Sequence, residues 1–112
     1  MDQINNQAES VPETDPDGII TWHNYKGKFH RIDGPAVEFP NGAKFWFRNG
    51  VPHRLDGPAM ESTNGTKSWW INGERHNWNG PAIIRPDGTE EWWVRGVQYS
   101  KEEVVNAMTI FV

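Results

Sequence analysis

From Gly18 to residue 98, short β-prone runs alternate with Gly-centred breaks, and no window sustains a helical period. The runs at 19–25, 36–39, 43–48, 59–62, 66–71, 82–85 and 89–94 predict about seven main strands. Asn-Gly or Asp-Gly pairs join them, at Asn41-Gly42, Asn64-Gly65 and Asp87-Gly88, and again at Asn49-Gly50 and Asn72-Gly73, with Arg95-Gly96 in the last place. Such pairs favour the type I′ hairpin turn, which needs positive φ at both central residues. Pro35, Pro58 and Pro81 each follow a glycine and enforce a turn before the next strand.

The pattern is periodic. Three segments begin at His30, His53 and His76, each 23 residues long and without a gap: HRIDGPAVEFPNGAKFWFRNGVP, HRLDGPAMESTNGTKSWWINGER and HNWNGPAIIRPDGTEEWWVRGVQ. A half-unit precedes them, with Pro16-Asp17-Gly18, Trp22 and Gly27-Lys28-Phe29 matching the back half of a repeat plus one residue. Tyr99 falls where a fourth histidine is due, and there the pattern ends. A fixed period of this size predicts an all-β meander of stacked hairpins, advancing about 10 Å per unit because strands lie about 4.8 Å apart.

The ends differ in kind. Residues 1–17 are polar, carry five acids and no base, and are expected to form a disordered acidic tail. The repeat domain is then 18–98 and a helical cap 99–112. Ser100 and Glu103 have the spacing of a capping box. Val104, Met108 and Phe111 form one apolar helical stripe, so a short helix over 101–110 is expected to fold onto the last hairpin. A partner-binding helix is the alternative.

Composition narrows the function classes. There is no cysteine, so no disulfide or thiolate metal site holds the chain, and seven tryptophans with five phenylalanines must supply much of the apolar burial. The net charge is −4, but outside the first 17 residues eleven bases face ten acids, which is no nucleic-acid footprint. No apolar run is long enough to span a membrane, and no apolar signal segment opens the chain, so a cytoplasmic protein without membrane contact is expected.

The recurring residues carry the candidate chemistry. His30, His53 and His76 form a column spaced too widely to share one zinc ion, so no metal site is expected. Asp33, Asp56 and Asn79, three residues on, are natural acceptors for each histidine or for a backbone N–H, and the set reads as structural turns. A His/Asp hydrolase would need one asymmetric constellation with a nucleophile, and none recurs, so no catalytic residue and no cofactor are expected. Two aromatic columns remain, Trp46/Trp69/Trp92 and Phe47/Trp70/Trp93, on opposite faces of their strands. One is expected to pack on the Val37/Met60/Ile83 column. The other, Phe47/Trp70/Trp93, is expected to be exposed and to bind a partner; the alternative is a sheet that twists or closes on itself so that both columns are buried. Phe45/Ser68/Glu91, Arg48/Ile71/Val94 and Phe39/Ser62/Arg85 vary between units, which adds Phe45 and Arg48 to the candidate partner-binding residues.

The period, the hairpin unit and the HRxDGPA, NG, WW, NG order resemble MORN repeats, in a variant form similar to that of phage, large-virus and some bacterial proteins. The resemblance covers residues 16–98 and implies a scaffold for protein contacts. Where the usual form recurs Tyr and closely spaced Gly, this chain has Trp pairs and His-Arg-x-Asp-Gly-Pro. The expected function is a non-enzymatic protein-binding module, with a phage-type inhibitor of a host enzyme as the form the resemblance implies. Homo-oligomerisation is compatible with it. The alternative is a nucleotide binder using tryptophan stacking with Arg31, Arg48 or Arg54.

Overall fold

Two turns of different chemistry punctuate each unit, and together they set the architecture. In the outer turns only the glycine is left-handed, with φ of 98° at Gly42, 94° at Gly65 and 89° at Gly88. The residue before it keeps negative φ and uses its side chain instead. Oδ1 of Asn41, Asn64 and Asp87 accepts the N–H of Ala43, Thr66 and Thr89 at 3.1, 2.9 and 2.9 Å. The expected type I′ geometry is therefore absent there. It occurs in the inner turns, where both residues are left-handed: Asn49 and Gly50 (52° and 86°), Asn72 and Gly73 (50° and 84°), Arg95 and Gly96 (50° and 79°). Arg95 is the costly member, because a long L side chain in this region loses about 1–2 kcal/mol that asparagine largely avoids. Arg95→Asn is expected to raise stability by about 1 kcal/mol in urea unfolding.

The computed structural model describes residues 10–110. It is all-β and antiparallel, with one helix at the C-terminal end. The strands are β1 (Val11–Thr14), β2 (Ile20–His23), β3 (Val37–Glu38), β4 (Lys44–Phe45), β5 (Phe47–Arg48), β6 (Val51–Pro52) and β7 (Met60–Glu61). They continue as β8 (Lys67–Ser68), β9 (Trp70–Ile71), β10 (Glu74–Arg75), β11 (Ile83–Ile84), β12 (Glu90–Val94) and β13 (Val97–Tyr99), followed by α1 (Lys101–Ile110). Among the described residues, nine strands form one sheet in the order β1-β2-β3-β4-β7-β8-β11-β12-β13. The pairs β5-β6 and β9-β10 form a second row of small hairpins beside it, which the β12-β13 hairpin continues.

Two expectations are corrected here. The seven strands become thirteen: the runs 43–48 and 66–71 each break in two at a tryptophan, and β1, β6, β10 and β13 lie outside the predicted runs. The Trp46 N–H donates to the Ala59 carbonyl in the next unit, while its own carbonyl accepts the His53 N–H from the second row. Trp69 repeats this with Ala82 and His76. Each of these residues is the point at which one strand changes partners. Trp92 pairs with Tyr99 instead, and β12 runs unbroken. The second correction concerns the tail. Residues 11–14, assigned to a disordered segment, form β1 and pair with β2 from Val11↔His23 to Thr14↔Ile20. Pro16-Asp17-Gly18 is the outer turn of a complete hairpin, with Asp15 Oδ1 accepting the N–H of Asp17 and Ile19. The rest of the predicted tail, residues 1–9, lies outside the described residues.

The core is thin and built of small side chains. Ala36, Ala59 and Ala82 are fully buried, each with its N–H bonded to the paired strand and its carbonyl to the strand before it. Val37 and Ile83 are buried beside them and Met60 is half-buried. At the C-terminal end the capping box forms as predicted. Ser100 Oγ accepts the Glu103 N–H at 3.0 Å, and Glu103 Oε1 accepts the Ser100 N–H at 2.8 Å. Of the apolar stripe, Val104 is buried and Met108 half-buried, while Phe111 lies outside the described residues. Val104 and Ala107 line a cavity of about 190 Å³ with Trp78, Val94 and Tyr99.

Candidate functional site

Each histidine bonds within its own 23-residue segment, tying the first residue to the inner turn near its end. Nδ1 of His30 accepts the N–H of Asn49 at 2.9 Å, Nδ1 of His53 that of Asn72 at 3.0 Å, and Nδ1 of His76 that of Arg95 at 2.9 Å. The donor is always the left-handed residue of the next inner turn, 19 residues on. The rings must be neutral, with the proton on Nε2, because an imidazolium has no acceptor. Burial pushes all three histidines below their ordinary value, helped by the charge of Arg48 at His30 and His53 and of Arg95 at His76.

The aspartates are not the histidines' partners. Asp33 Oδ1 accepts from Nε of Arg31 at 3.3 Å, and Asp56 Oδ1 from Nε of Arg54 at 3.0 Å. Nη1 of each arginine also reaches a proline carbonyl, Pro35 or Pro58, and a carboxylate, Glu38 or Glu61. The same guanidinium groups lie 4.0 Å over the rings of Trp22 and Trp46. In the third unit Asn77 and Ile84 replace the arginine and the glutamate together, and Asn77 Nδ2 still donates to Pro81 at 2.9 Å. Asn79 gives its N–H to Asn77 Oδ1. The expected His/Asp pair is thus not formed, and two arginines considered for phosphate are already committed. Among the described residues, no three His, Asp or Glu side chains are grouped to hold a metal ion.

The two tryptophan columns are both half-buried, so neither is the wet row expected of Phe47, Trp70 and Trp93. The reason is cross-strand cover. Phe47 pairs with Pro52, Trp70 with Arg75 and Trp93 with Gln98. Phe29 packs on Phe47 at 5.4 Å, and the Arg75 guanidinium lies 5.1 Å from both the Trp70 and Trp93 rings. These residues form one interlocked ladder on a single face of the second row.

The variable positions are matched to one another. Phe39 meets Phe45 edge-on at 5.6 Å, and Arg85 makes a close ion pair with Glu91; the same two places hold Ser62 and Ser68 in the middle unit. Where the ladder carries tryptophan, the residue two places earlier accepts its indole N–H: Ser68 Oγ from Trp70 and Glu91 Oε1 from Trp93, both at 2.8 Å. Those two bonds to Glu91, from Arg85 and Trp93, hold its carboxyl below the usual range. Phe45 therefore sits in an internal pair, while Arg48 lies on the opposite face of its strand from Phe47.

A row that the sequence reading passed over stands exposed. It is the variable residue of the His-Arg-x-Asp-Gly-Pro turn: Ile32, Leu55 and Trp78 are 46%, 78% and 43% exposed. Val51 and Val97 are also exposed, on the strand face that carries Arg48, Ile71 and Val94. Trp78 meets His76 edge-on at 6.1 Å and forms one wall of a groove of about 370 Å³ with Ile71, Glu74 and Arg95.

Fold and site together define a β-hairpin repeat protein with a stepped row of exposed apolar side chains, one per unit. No protein-family model, curated protein or solved structure matches the chain significantly.

Proposed function

We propose that the chain is a non-enzymatic protein-binding module of the MORN-like type, acting through the face that carries Ile32, Leu55 and Trp78. The observation that carries this reading is the recurrence of a large exposed apolar residue at a turn position three times over. The turn makes no demand for it: its hydrogen bonds come from the flanking Arg31 and Arg54 and from Asn77. Three such side chains about 10 Å apart form the kind of apolar patch that marks an interaction surface.

Paired variants of the row test the proposal. Ile32→Asp with Leu55→Asp is expected to leave the melting temperature unchanged within about 2 °C, since both side chains are exposed. Co-purification of a partner from extracts of the source cell is expected to be lost. Capture of the same proteins by wild type and variant would refute the assignment of this row.

A further inference from the structure

We infer that Asn79 is a site of spontaneous covalent modification, losing its amide to become aspartate or isoaspartate at the end of the exposed row. The chemistry belongs to asparagine followed by glycine. The glycine nitrogen gives up its proton and attacks Cγ of the asparagine, unhindered because glycine has no Cβ. The new N–Cγ bond displaces the amide nitrogen, which takes up a proton and leaves as ammonia, and a five-membered succinimide remains. Water then adds to either ring carbonyl and opens the ring. The product is aspartate or, with the main chain routed through Cγ, isoaspartate. The sum is ammonia lost and water gained, with no change of oxidation state.

Five Asn-Gly pairs occur among the described residues, and hydrogen bonding sets one apart from the other four. The N–H groups of Gly42, Gly50, Gly65 and Gly73 donate to the carbonyls of Phe39, Phe29, Ser62 and Pro52 at 3.0, 2.8, 2.9 and 2.9 Å. Each of these nucleophiles thus keeps its proton in a bond. Asn41 and Asn64 also commit Oδ1 to the N–H two residues on, and Asn49 Oδ1 accepts from Asn24 Nδ2. The Gly80 N–H has no acceptor among the described residues, and the Asn79 side chain is exposed and makes no hydrogen bond to them. The repeat gives the cause. At the same turn in the first two units Asp33 and Asp56 are tied by Arg31 and Arg54, which also bind the carbonyls of Pro35 and Pro58. In the third unit Asn77 alone bridges the turn, through the Pro81 carbonyl and the Asn79 N–H. Residues 78–81 make no backbone–backbone hydrogen bond, so this turn opens locally more readily than the other Asn-Gly turns. Either product sets a carboxylate beside Trp78, with Asn77 where the other units have an arginine to pair with it. The row of Ile32, Leu55 and Trp78 gains a negative charge as the protein ages, and this consequence alone rests on the protein-binding reading.

The test incubates the intact protein in mildly alkaline buffer and follows all five sites by peptide mapping with mass spectrometry, which reads the gain in mass as an amide becomes an acid. Asn79 is expected to convert about tenfold faster than Asn41, Asn49, Asn64 or Asn72, the order of effect that one retained hydrogen bond supplies. In urea, where the turns are lost, the five sites are expected to convert at similar rates. Gly80→Ala adds a Cβ that would meet only Asn77 Nδ2, in ordinary contact at 3.6 Å, and is expected to slow conversion at Asn79 severalfold. Equal rates at the five sites in the folded protein would overturn the inference. So would faster conversion at any of the other four, or an unaltered rate in Gly80→Ala. A separate arm isolates the acidic fraction of aged protein by ion exchange, and this fraction is expected to lose the co-purified partner. If it retains the partner as fresh protein does, the modification site stands and its effect on the row is excluded.

Discussion

Acidification from pH 7.5 to pH 5 is expected to destabilise this protein steeply, through three equivalent histidines acting together. Each ring accepts a backbone N–H through Nδ1, and each is held below its ordinary value by burial and a neighbouring arginine. The unfolded chain therefore binds more protons than the folded one between pH 6.5 and the depressed folded values. Stability rises with pH through that window, is fully present above it, and is lost as the pH falls below 6.5. Each proton taken up only by the unfolded chain steepens the dependence by up to about 1.4 kcal/mol per pH unit. Protonation also destroys the acceptor, freeing the N–H of a left-handed residue. Urea unfolding at half-unit pH steps measures the slope. His76→Asn keeps an acceptor oxygen at the position of Nδ1 and removes the titration, so its slope is expected to be shallower by about one proton. An unchanged slope would show that these histidines do not govern the acid response.

The second large effect lies in the aromatic ladder. Trp70→Ala is expected to cost about 2–3 kcal/mol of stability, near the lower end for tryptophan truncation because the ring is half-buried. The loss has identifiable parts. Arg75 loses one of the two rings that hold its guanidinium, while its Nε is buried with no hydrogen-bond partner among the described residues. Ser68 Oγ loses the indole N–H that it accepts.

The period made most of this fold legible. Spacing alone placed the hairpins, the capping box and the helix, because each depends on residues a few places apart. Strand β1 was hidden for a local reason: Val11-Pro12-Glu13-Thr14 shows no alternation and lies in an acidic segment. Its signal was the Pro16-Asp17-Gly18 turn, which as an outer turn requires a strand before it. The partner-switching tryptophans could not be read, because their partners lie in the neighbouring unit and depend on how units stack; the histidine bonds could not, because they join positions 19 residues apart. The pairing of variable positions was readable and was missed. Phe39/Ser62/Arg85 and Phe45/Ser68/Glu91 change in concert, aromatic with aromatic and cation with anion. Each column by itself looks like a set of free positions. The exposed row is not marked by residues that recur identically. Ile32, Leu55 and Trp78 recur only as a class, large and apolar, and their exposure follows from their place on a turn.

These observations separate the two aromatic and apolar rows by role. The ladder of Phe47, Trp70 and Trp93 holds the second row together, and the turn row of Ile32, Leu55 and Trp78 faces outward. The most direct measurement sets one variant of each side by side, scoring melting temperature and retention of the co-purified partner. Leu55→Asp is expected to melt with the wild type and to lose the partner. Trp70→Ala is expected to melt well below it, yet to retain the partner at temperatures where it remains folded. The reverse pattern, with Trp70→Ala melting normally and failing to bind while Leu55→Asp binds, would contradict the account.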